Sequence, residues 1–391
     1  MRLKLKNTPE QVELIKAMGS KNQLEAREAQ EAFAAFLGPV VLRVLNQAGT
    51  VGGIFTDAPY DEDDSPSFPL DLYYNIGDNH VTVWSQHMAG GLPTSHIEGM
   101  QEMKIATYRL DSAVSFLKRY ARRARLDVVG KAVERMAQEV LVKQERNGWA
   151  VILKALAEAK DGSGGSAGDH ILTSTAENIF QLDDLNRLMT LNKRLNQSFV
   201  NGTPDDVYSQ GVTDLYVSPE IVEQIRAFAY NPMNTRHGHT TDAGTSGSSA
   251  LVSSIALPDN MRERVYSAAG MGEIYGVNIV EMREFGVAQK YNALFDSLSS
   301  ASIGHDGSGG TDAFNASGTD EILVGIDNSR GAFIRPIATA EDSVHNDPSG
   351  GSFVTLADDQ WNQRSEKLGF YGYLEEGRVC LDARAINGLV V

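Results

Sequence analysis

The feature that most constrains the fold is a long helical pattern in the first half of the chain. Its apolar residues recur at alternating spacings of three and four, the period of one helix face. They are Leu126, Val129, Val133, Met136 and Val140. The pattern continues to about Ala159, which predicts a helix about 50 Å long at 1.5 Å per residue. Gly130 and Gly148 could bend it, and a Gly/Ser-rich break over 160–166 ends it.

Composition places the chain among soluble globular proteins. Its 391 residues carry 35 basic and 51 acidic side chains, a formal charge of −16, which argues against a broad surface for nucleic acid or anionic membrane. There is no run of about 20 apolar residues and no secretory signal pattern. The single cysteine, Cys380, excludes a disulfide framework and a cysteine-based zinc site. We therefore expect a cytoplasmic-type protein of two or three substructures.

The chain opens with helical segments. Thr8, Pro9 and Gln11 predict a capping box with proline at the first helical position, and a second helical stretch is predicted over 22–37, stopping at Gly38-Pro39. Large apolar residues are few in this segment. It could not hold a core alone, so we expect it to lie against something else.

Residues 44–103 form an acidic segment that contains nine carboxylates and no Lys or Arg. Apolar residues alternate over 70–76 and 81–83 around a turn at 77–79, which predicts a β-hairpin. This is either an edge hairpin of a sheet or, given its Gly- and Pro-rich flanks, an arm that stands off the body. A lone two-stranded arm is marginally stable in water, so the second interpretation requires a neighbouring molecule.

A concentrated basic patch follows. On a helical projection of 115–125, apolar residues share one face and basic residues the other. The basic residues are Lys118, Arg119, Arg122, Arg123 and Arg125. This face is either solvated or meets the acidic arm of another copy. Nucleic acid is disfavoured as a partner of this face, because the net negative charge of the rest of the chain repels phosphate.

The remaining chain predicts a mixed α+β arrangement without regular strand–helix alternation. We expect helices over 182–196 and 219–228 and strands over 215–217 and 274–280. Two hairpins are also expected. One spans 322–337 around a turn at 327–331, and the other spans 368–382 around a turn at 375–377.

Motifs that could carry chemistry are weak. His237, His239 and Asp242 could offer ligands to a metal, but they lie in a Gly/Thr/Ser loop without zinc-site spacing. The string Asp-Gly-Ser-Gly-Gly occurs at 161–165 and 306–310 without the context of a phosphate cradle, and Gly-x-Ser-x-Gly at 164–168 lacks a preceding strand. Cys380, in a predicted strand, is expected to be a buried, inert thiol. No catalytic, cofactor or metal site is predicted.

The order of these parts resembles the major capsid proteins of tailed bacteriophages of the Hong Kong 97 (HK97) type. The resemblance covers nearly the whole chain and depends on layout rather than on a signature motif. The segments that carry it are Lys104-Ile105 leading through Lys118–Arg125 into the long helix, Leu215–Phe228, Ile274–Val280, Ile322–Ile337 and Phe370–Leu389. Within the last, Gly377-Arg378-Val379 and Asp382–Ala385 look like the closing strands of that family.

The resemblance implies an α+β, HK97-like capsid fold in four parts. They are an N-terminal arm (1–50), an extended β-hairpin loop (51–105), a peripheral domain with the long spine helix (106–170 and 341–391) and a mixed α/β axial domain (171–340). It implies a structural role in hexamers and pentamers of an icosahedral head around double-stranded DNA. No lysine occurs over 44–103, so we do not expect the covalent cross-linking that some family members use.

Partners and location follow from the same resemblance. We expect self-association, a separate scaffolding protein, a portal, possible decoration proteins, and packaged DNA bound without sequence specificity, in a virion assembled in the host cytoplasm. No cofactor and no membrane are expected. Fewer than 40 residues precede Gly38-Pro39, which favours an uncleaved subunit. An encapsulin-like cellular shell and a soluble metal-dependent hydrolase remain alternatives.

The contacts expected between subunits join the arm of one copy to the basic helix face of its neighbour. The residues are Asp61, Glu62, Asp63, Asp64, Leu72, Tyr74, Trp84, Lys118, Arg119, Arg122, Arg123 and Arg125.

Overall fold

A computed structural model describes residues 8–34, 49–61, 65–69, 102–123, 126–160, 165–176, 178–200, 211–230, 272–299, 303–304, 314–318, 320–339, 354–358 and 366–391. The helices are α1 (Pro9–Met18), α2 (23–34), α3 (Lys118–Arg122), α4 (Leu126–Glu158), α5 (Leu182–Val200), α6 (Pro219–Tyr230) and α7 (Lys290–Leu298). None of the helices within these residues is long and apolar enough to span a membrane.

The strands fall into three sheets. They are β1 (Thr56–Asp61), β2 (Ser67–Pro69), β3 (Glu102–Lys104), β4 (Tyr108–Leu117), β5 (Ile171–Thr173), β6 (Asp214–Val217), β7 (Glu273–Ile274), β8 (Val277–Glu281), β9 (Ile322–Ile326), β10 (Phe333–Thr339), β11 (Val354–Asp358), β12 (Lys367–Glu376), β13 (Val379–Cys380) and β14 (Ile386–Val390). The mixture of helices and sheets confirms the predicted α+β class.

The chain divides into two compact units. The first uses described residues of 8–69, 102–149 and 333–379, and the second those of 150–332 and 380–391. Both units are built from separated stretches of the sequence. The four-part division expected from the resemblance stays a prediction.

The first unit is organised around a mixed sheet in the order β1–β10–β12–β11, in which β4 also pairs with β12. β4 and β12 form an antiparallel ladder that runs from the pair Leu117–Lys367 to the pair Tyr108–Glu376. β1 lies parallel to β10 at the edge. Side chains alternate along β4, with Leu110 and Phe116 turned inward, because successive residues of a strand point to opposite faces.

The N-terminal helices complete the core of this unit. Ile15 and Met18 of α1 and Phe33 of α2 are buried in one cluster with Phe370 of β12 and Met136 of α4. The rings of Phe33 and Phe370 lie 5.4 Å apart between centroids. Burying a phenylalanine contributes about 2–3 kcal/mol. The prediction that this helical segment lies against other elements is confirmed.

The second unit contains a sheet in the order β5–β14–β9–β6–β8–β7. Buried residues of α5 and α6 pack with it in one core, among them Leu188 and Ile225 with Leu215 and Leu323 of the sheet. The helices expected over 182–196 and 219–228 are thus confirmed. Ser218 caps α6 as the sequence indicates, since its Oγ accepts a hydrogen bond from the Ile221 amide at 3.2 Å.

The long helix is also confirmed, since α4 runs for 33 residues without interruption across Gly130 and Gly148. At 1.5 Å per residue it is about 50 Å long. Along its inward face Val129, Met136 and Val140 are buried, and their spacings of seven and four fit the helical period that the sequence shows. The spacing of apolar residues in the sequence therefore predicts correctly which face of this helix is buried.

Three local predictions are wrong. The strand expected over 274–280 is the hairpin β7–β8, because Tyr275 and Gly276 both have positive φ (53° and 85°), as a tight two-residue turn requires. The hairpin expected over 322–337 does not form, since β9 and β10 belong to different sheets. The hairpin expected over 368–382 does not form either, since β13 pairs with β10.

The turn between β9 and β10 explains the second of these errors. Asp327 accepts a hydrogen bond from the Ser329 amide, which caps a one-turn 3-10 helix over Asn328–Arg330, and Gly331 follows with φ 58°. The same residue types also suit a hairpin loop. The direction of the chain after this turn is set by the pairing of β10 with strands distant in sequence. The residues of the turn carry no information about that pairing.

Gly148 is fixed by close packing, and its replacement by alanine provides a test. A Cβ at Gly148 would collide with Val51 and with Nη1 of Arg378. We expect Gly148→Ala to lower the free energy of unfolding by about 1–3 kcal/mol, although alanine favours helices, because overpacking strains the neighbours. Urea denaturation measures the loss. Gly53→Ala is the matched control, since nothing lies within 4 Å of its Cβ position, and an equal loss in both variants would contradict the packing argument.

Candidate assembly surface

The predicted arm has a paired root. β2 and β3 are antiparallel, with Ser67 opposite Lys104 and Pro69 opposite Glu102. The chain therefore leaves at Pro69 and returns beside it at Glu102. The hairpin expected over 70–83 and the contact residues Leu72, Tyr74 and Trp84 lie outside the described residues.

The strand that leads towards this root is held by charged and polar contacts. Arg335 of β10 donates to both carboxylate oxygens of Asp57 in β1, at 2.7 and 2.8 Å. The Tyr60 hydroxyl donates to Glu375 at 3.1 Å. A paired guanidinium and carboxylate in this fork geometry is among the stronger polar contacts in proteins. β1 is thus fixed to the sheet just before the acidic run begins.

Behind β1, a buried carboxylate joins several elements of the first unit. Glu376 is fully buried and accepts hydrogen bonds from Tyr108 at 2.9 Å and from Gln144 at 3.0 Å. Arg378 lies 3.3 Å and Arg335 3.9 Å from its oxygens. Burial, with the nearby Glu376 charge, raises the pKa of Tyr108 to about 12, so it stays a donor. This network makes the base of the predicted arm rigid.

The basic patch differs in part from the sequence prediction. The chain is a strand up to Leu117, so only Lys118–Arg122 form the one-turn helix α3. Lys118, expected on the exposed face, is buried, because the end of β4 turns it inward. Burial, and secondly the Arg122 charge, lowers the pKa of its ammonium group.

The other arginines of the patch are exposed. Arg119 lies over the ring of Tyr120 at 5.2 Å, and Arg122 donates to the Gly19 carbonyl at 2.9 Å. Among the described residues, no carboxylate lies within ion-pair distance of Arg119, Arg122 or Arg123. Arg125 lies outside those residues. The patch therefore carries positive charge that its own described neighbours do not balance.

A groove between β4 and α4 extends this positive surface. Its volume is about 560 Å³. Phe116, Val128 and Ala132 supply its apolar lining, and Lys131 and Arg135 supply exposed cations. Ser115, Glu134 and Gln138 complete the lining. We call this feature, bounded by the eight lining residues, the cationic groove.

Sequence reasoning missed the cationic groove, although part of its signal is visible. Lys131, Arg135 and Gln138 recur at spacings of four and three along α4, so they share a helix face. That face lies beside the buried face that the apolar residues define. The groove forms only because this face of α4 lies beside the strand β4. The sequence predicted a helix over 115–125, so the strand and the groove were both missed.

The acidic side of the predicted contact is described only at its start. Asp61 ends β1 and is exposed. Glu62, Asp63 and Asp64 lie outside the described residues. Which of the predicted contact residues meet between subunits stays a prediction.

Alternative chemistry finds no support in the described part of the chain. No group of three or more His, Cys, Asp or Glu side chains there could hold a metal ion, and His237, His239 and Asp242 lie outside it. Burial, with the nearby Asp382 charge, raises the pKa of the Cys380 thiol to about 12. The Cys380 side chain is only half-buried, less than the sequence predicts, but a thiol that stays protonated is a poor nucleophile.

Comparison with known proteins gives structural likenesses only. No protein-family model matches the sequence, and no curated protein matches it. The chain is similar to the capsid of the cyanophage P-SCSP1u, with 14% identity over 88% of both chains and a TM-score of 0.47. It is similar to the mature capsid of bacteriophage PhiM1, with 10% identity over 88% of this chain and 86% of that chain and a TM-score of 0.46.

An encapsulin complex from Synechococcus elongatus is also similar, with 9% identity over 86% of this chain and 84% of that chain and a TM-score of 0.38. The first two structures are described as phage capsids.

Proposed function

We propose that this chain is a major capsid protein of the HK97 type, which assembles into hexamers and pentamers of the icosahedral head of a tailed phage. The order of its elements carries the proposal. Two N-terminal helices precede a paired root at Pro69 and Glu102, the 33-residue helix α4 follows, and the chain then alternates between two units. This order is the one on which the sequence resemblance depends.

The paired root supports an assembly role physically. β2 and β3 bracket residues 70–101, whose sequence alternates as a hairpin does. A two-stranded arm gains stability by docking on a larger surface. Docking of each copy on the next is a heterologous contact, and such contacts close into rings when the rotation permits. Many weak contacts then act together in a shell.

The proposed contacts pair opposite charges. The acidic run of the arm meets the exposed arginines of α3 in a neighbouring copy, which sets the register of the contact more than its affinity. The chain's charge of −16 would keep packaged double-stranded DNA from adhering broadly to the wall. The proposal includes a separate scaffolding protein and a portal, and it is compatible with decoration proteins. It assigns no catalytic site or cofactor, and it places assembly in the host cytoplasm.

Reversing two arginines of α3 tests the charge pairing. We expect Arg122→Glu with Arg123→Glu to lower the yield of shells about tenfold or more, because two attractive contacts per subunit become repulsive. Light scattering measures the yield, and circular dichroism checks that the subunit folds. Arg123→Glu alone is a second variant, since Arg122 also binds the Gly19 carbonyl. Shell yields equal to that of the unmodified chain in both variants would refute the pairing.

Electron microscopy of the expressed full chain tests the function itself. We expect capsomers or closed shells by negative stain, and large particles by light scattering. A chain that stays monomeric at high concentration, alone and with candidate scaffolding proteins, would overturn the proposal. Nuclease-resistant double-stranded DNA inside native particles is expected. A protein cargo would instead favour an encapsulin-like shell, and a metal-binding monomer would favour a hydrolase.

A further inference from the structure

The cationic groove has the character of an anion-binding surface. Lys131 and Arg135 are exposed and, among the described residues, neither lies within ion-pair distance of a carboxylate. α3 begins two residues after Phe116, so its arginines continue the positive charge from one end of the groove. Together these cations form a continuous positive region along β4, α3 and α4.

The lining favours a peptide over a nucleic acid. Val128 and Ala132 offer carbon surface to an occupant beside the mostly buried Phe116, and the volume of about 560 Å³ is in the range of pockets that hold ligands. Glu134 repels phosphates and carboxylates alike, so the preference rests on the apolar lining and on the overall charge of −16, which opposes a long polyanion more than a short acidic segment. An extended peptide with several carboxylates and some apolar surface suits both the charged and the apolar parts of the lining.

The chain itself contains such a segment. Asp61–Asp64 is the only run of four consecutive acids in the sequence, and Ser65-Pro66-Ser67-Phe68-Pro69 follows it. The prolines favour an extended backbone at the residues before them. Asp61 is exposed at the end of β1, and β1 is fixed by the Arg335–Asp57 pair. The run therefore starts from a rigid, exposed point.

Sheet register separates Asp61 from the groove of its own subunit. Asp61 pairs with Thr339 in β10, and three ladder steps (β1–β10, β10–β12 and β12–β4) separate β1 from β4. Since Ile337 opposes Glu376 and Leu368 opposes Phe116, the groove also lies about six residues further along the strands. At about 4.8 Å per strand and 3.3 Å per residue, the separation is about 25 Å. An ion pair within one copy would require Asp61 to cross most of the sheet.

From these observations we propose that the cationic groove of one subunit receives the acidic segment Asp61–Asp64 of a second copy of this chain. Carboxylates of the segment pair with Lys131 and Arg135, and its flanking residues cover the apolar lining. The inference rests on the self-association in the proposed function. It extends the proposed contact of the acidic segment from the arginines of α3 into the groove at the junction of β4 and α4.

A charge-exchange experiment on the full chain tests this contact. The groove variant is Lys131→Glu with Arg135→Glu, and the segment variant is Asp63→Lys with Asp64→Lys. We expect each alone to need about tenfold or more protein for half-assembly, measured by light scattering and electron microscopy. Mixing the two variants restores assembly into even-numbered rings such as hexamers, in which the variants alternate and the segment of each is complementary in charge to the groove of the other. A chain carrying all four substitutions also assembles.

The matched control is Lys143→Glu with Arg146→Glu, which makes the same charge change at exposed positions of α4 outside the groove. We expect it to assemble as the unmodified chain does. Circular dichroism confirms that every variant folds.

The outcomes separate this inference from the proposed function. If the unmodified chain assembles neither alone nor with candidate scaffolding proteins, the proposed function fails. If the unmodified chain and the groove variant assemble alike, only the inference fails. If the fourfold variant assembles but the mixture of the two double variants does not, the segment binds the groove of its own subunit. That outcome also overturns the inference. So would a duplex oligonucleotide that binds the unmodified chain but not the groove variant while assembly is unchanged.

Discussion

Replacing Glu376 with alanine is expected to lower the free energy of unfolding of the first unit by about 3–5 kcal/mol. The carboxylate is fully buried and is the shared partner of Arg378 and Arg335, whose side chains are 1% and 11% exposed. Removing it leaves two guanidinium groups that have little access to water and have lost a negative charge that balanced them. The hydrogen bonds from Tyr108 and Gln144 are lost as well.

The neighbouring Glu375 provides the control. It accepts hydrogen bonds from Tyr60 and Thr107 but is only half-buried, so Glu375→Gln is expected to cost about 1 kcal/mol. Urea denaturation followed by tryptophan fluorescence measures both variants, because Trp149 is buried in the same unit. Similar losses for the two variants would show that the buried charge network contributes little.

A second large effect is expected from pH acting on Glu321. This carboxyl group lies at the start of β9, where the Ser218 hydroxyl donates to it at 2.9 Å. Burial, opposed by that hydrogen bond and reinforced by the Glu220 charge, raises its pKa from 4.5 to about 7. The folded protein therefore holds a proton that the unfolded chain releases at lower pH.

The sign of the effect follows from that difference. The favourable contribution is complete below pH 4.5 and is lost as the pH rises through about 7. The loss is up to about 3 kcal/mol, since one pKa unit corresponds to about 1.4 kcal/mol. Glu321→Gln does not titrate and keeps an acceptor for Ser218. We therefore expect this variant to gain about 3 kcal/mol relative to the unmodified chain between pH 5 and pH 8.

Urea denaturation at several pH values measures this difference, and taking it between variants removes the contribution of histidines. Glu220→Gln is the matched variant. It removes a nearby negative charge, so the transition should move to lower pH without disappearing. A constant difference between Glu321→Gln and the unmodified chain across this range would refute the assignment.

Local signals in the sequence predict the helices well and the strand partners poorly. The period of α4 and the Ser218-Pro219 start of α6 are properties of consecutive residues, and both are confirmed. The expected hairpins over 322–337 and 368–382 required neighbouring strands to pair. Instead β9, β10 and β13 pair with strands from elsewhere in the chain.

The candidate surface was predictable only in part for the same reason. The acidic run and the arginines of α3 are visible in the sequence as runs of charge. The burial of Lys118 and the cationic groove both depend on β4 continuing to Leu117. The sequence predicted a helix there, because a helical projection of 115–125 separates apolar from basic residues. The Glu376 network joins residues as far apart as Tyr108 and Glu376, 268 positions along the chain, which no local pattern reveals.

The β4–β12 ladder sets the earliest time during synthesis at which the sheet beside the cationic groove can be complete. Leu117 pairs with Lys367, so the ribosome must add 250 residues after the first strand before its partner exists. At about 5–20 residues per second, that interval lasts about 10–50 s. During it the groove at the end of β4 has no supporting sheet. A nascent chain therefore cannot offer the proposed docking surface in finished form, and in the proposed assembly subunits join one another only after synthesis is nearly complete.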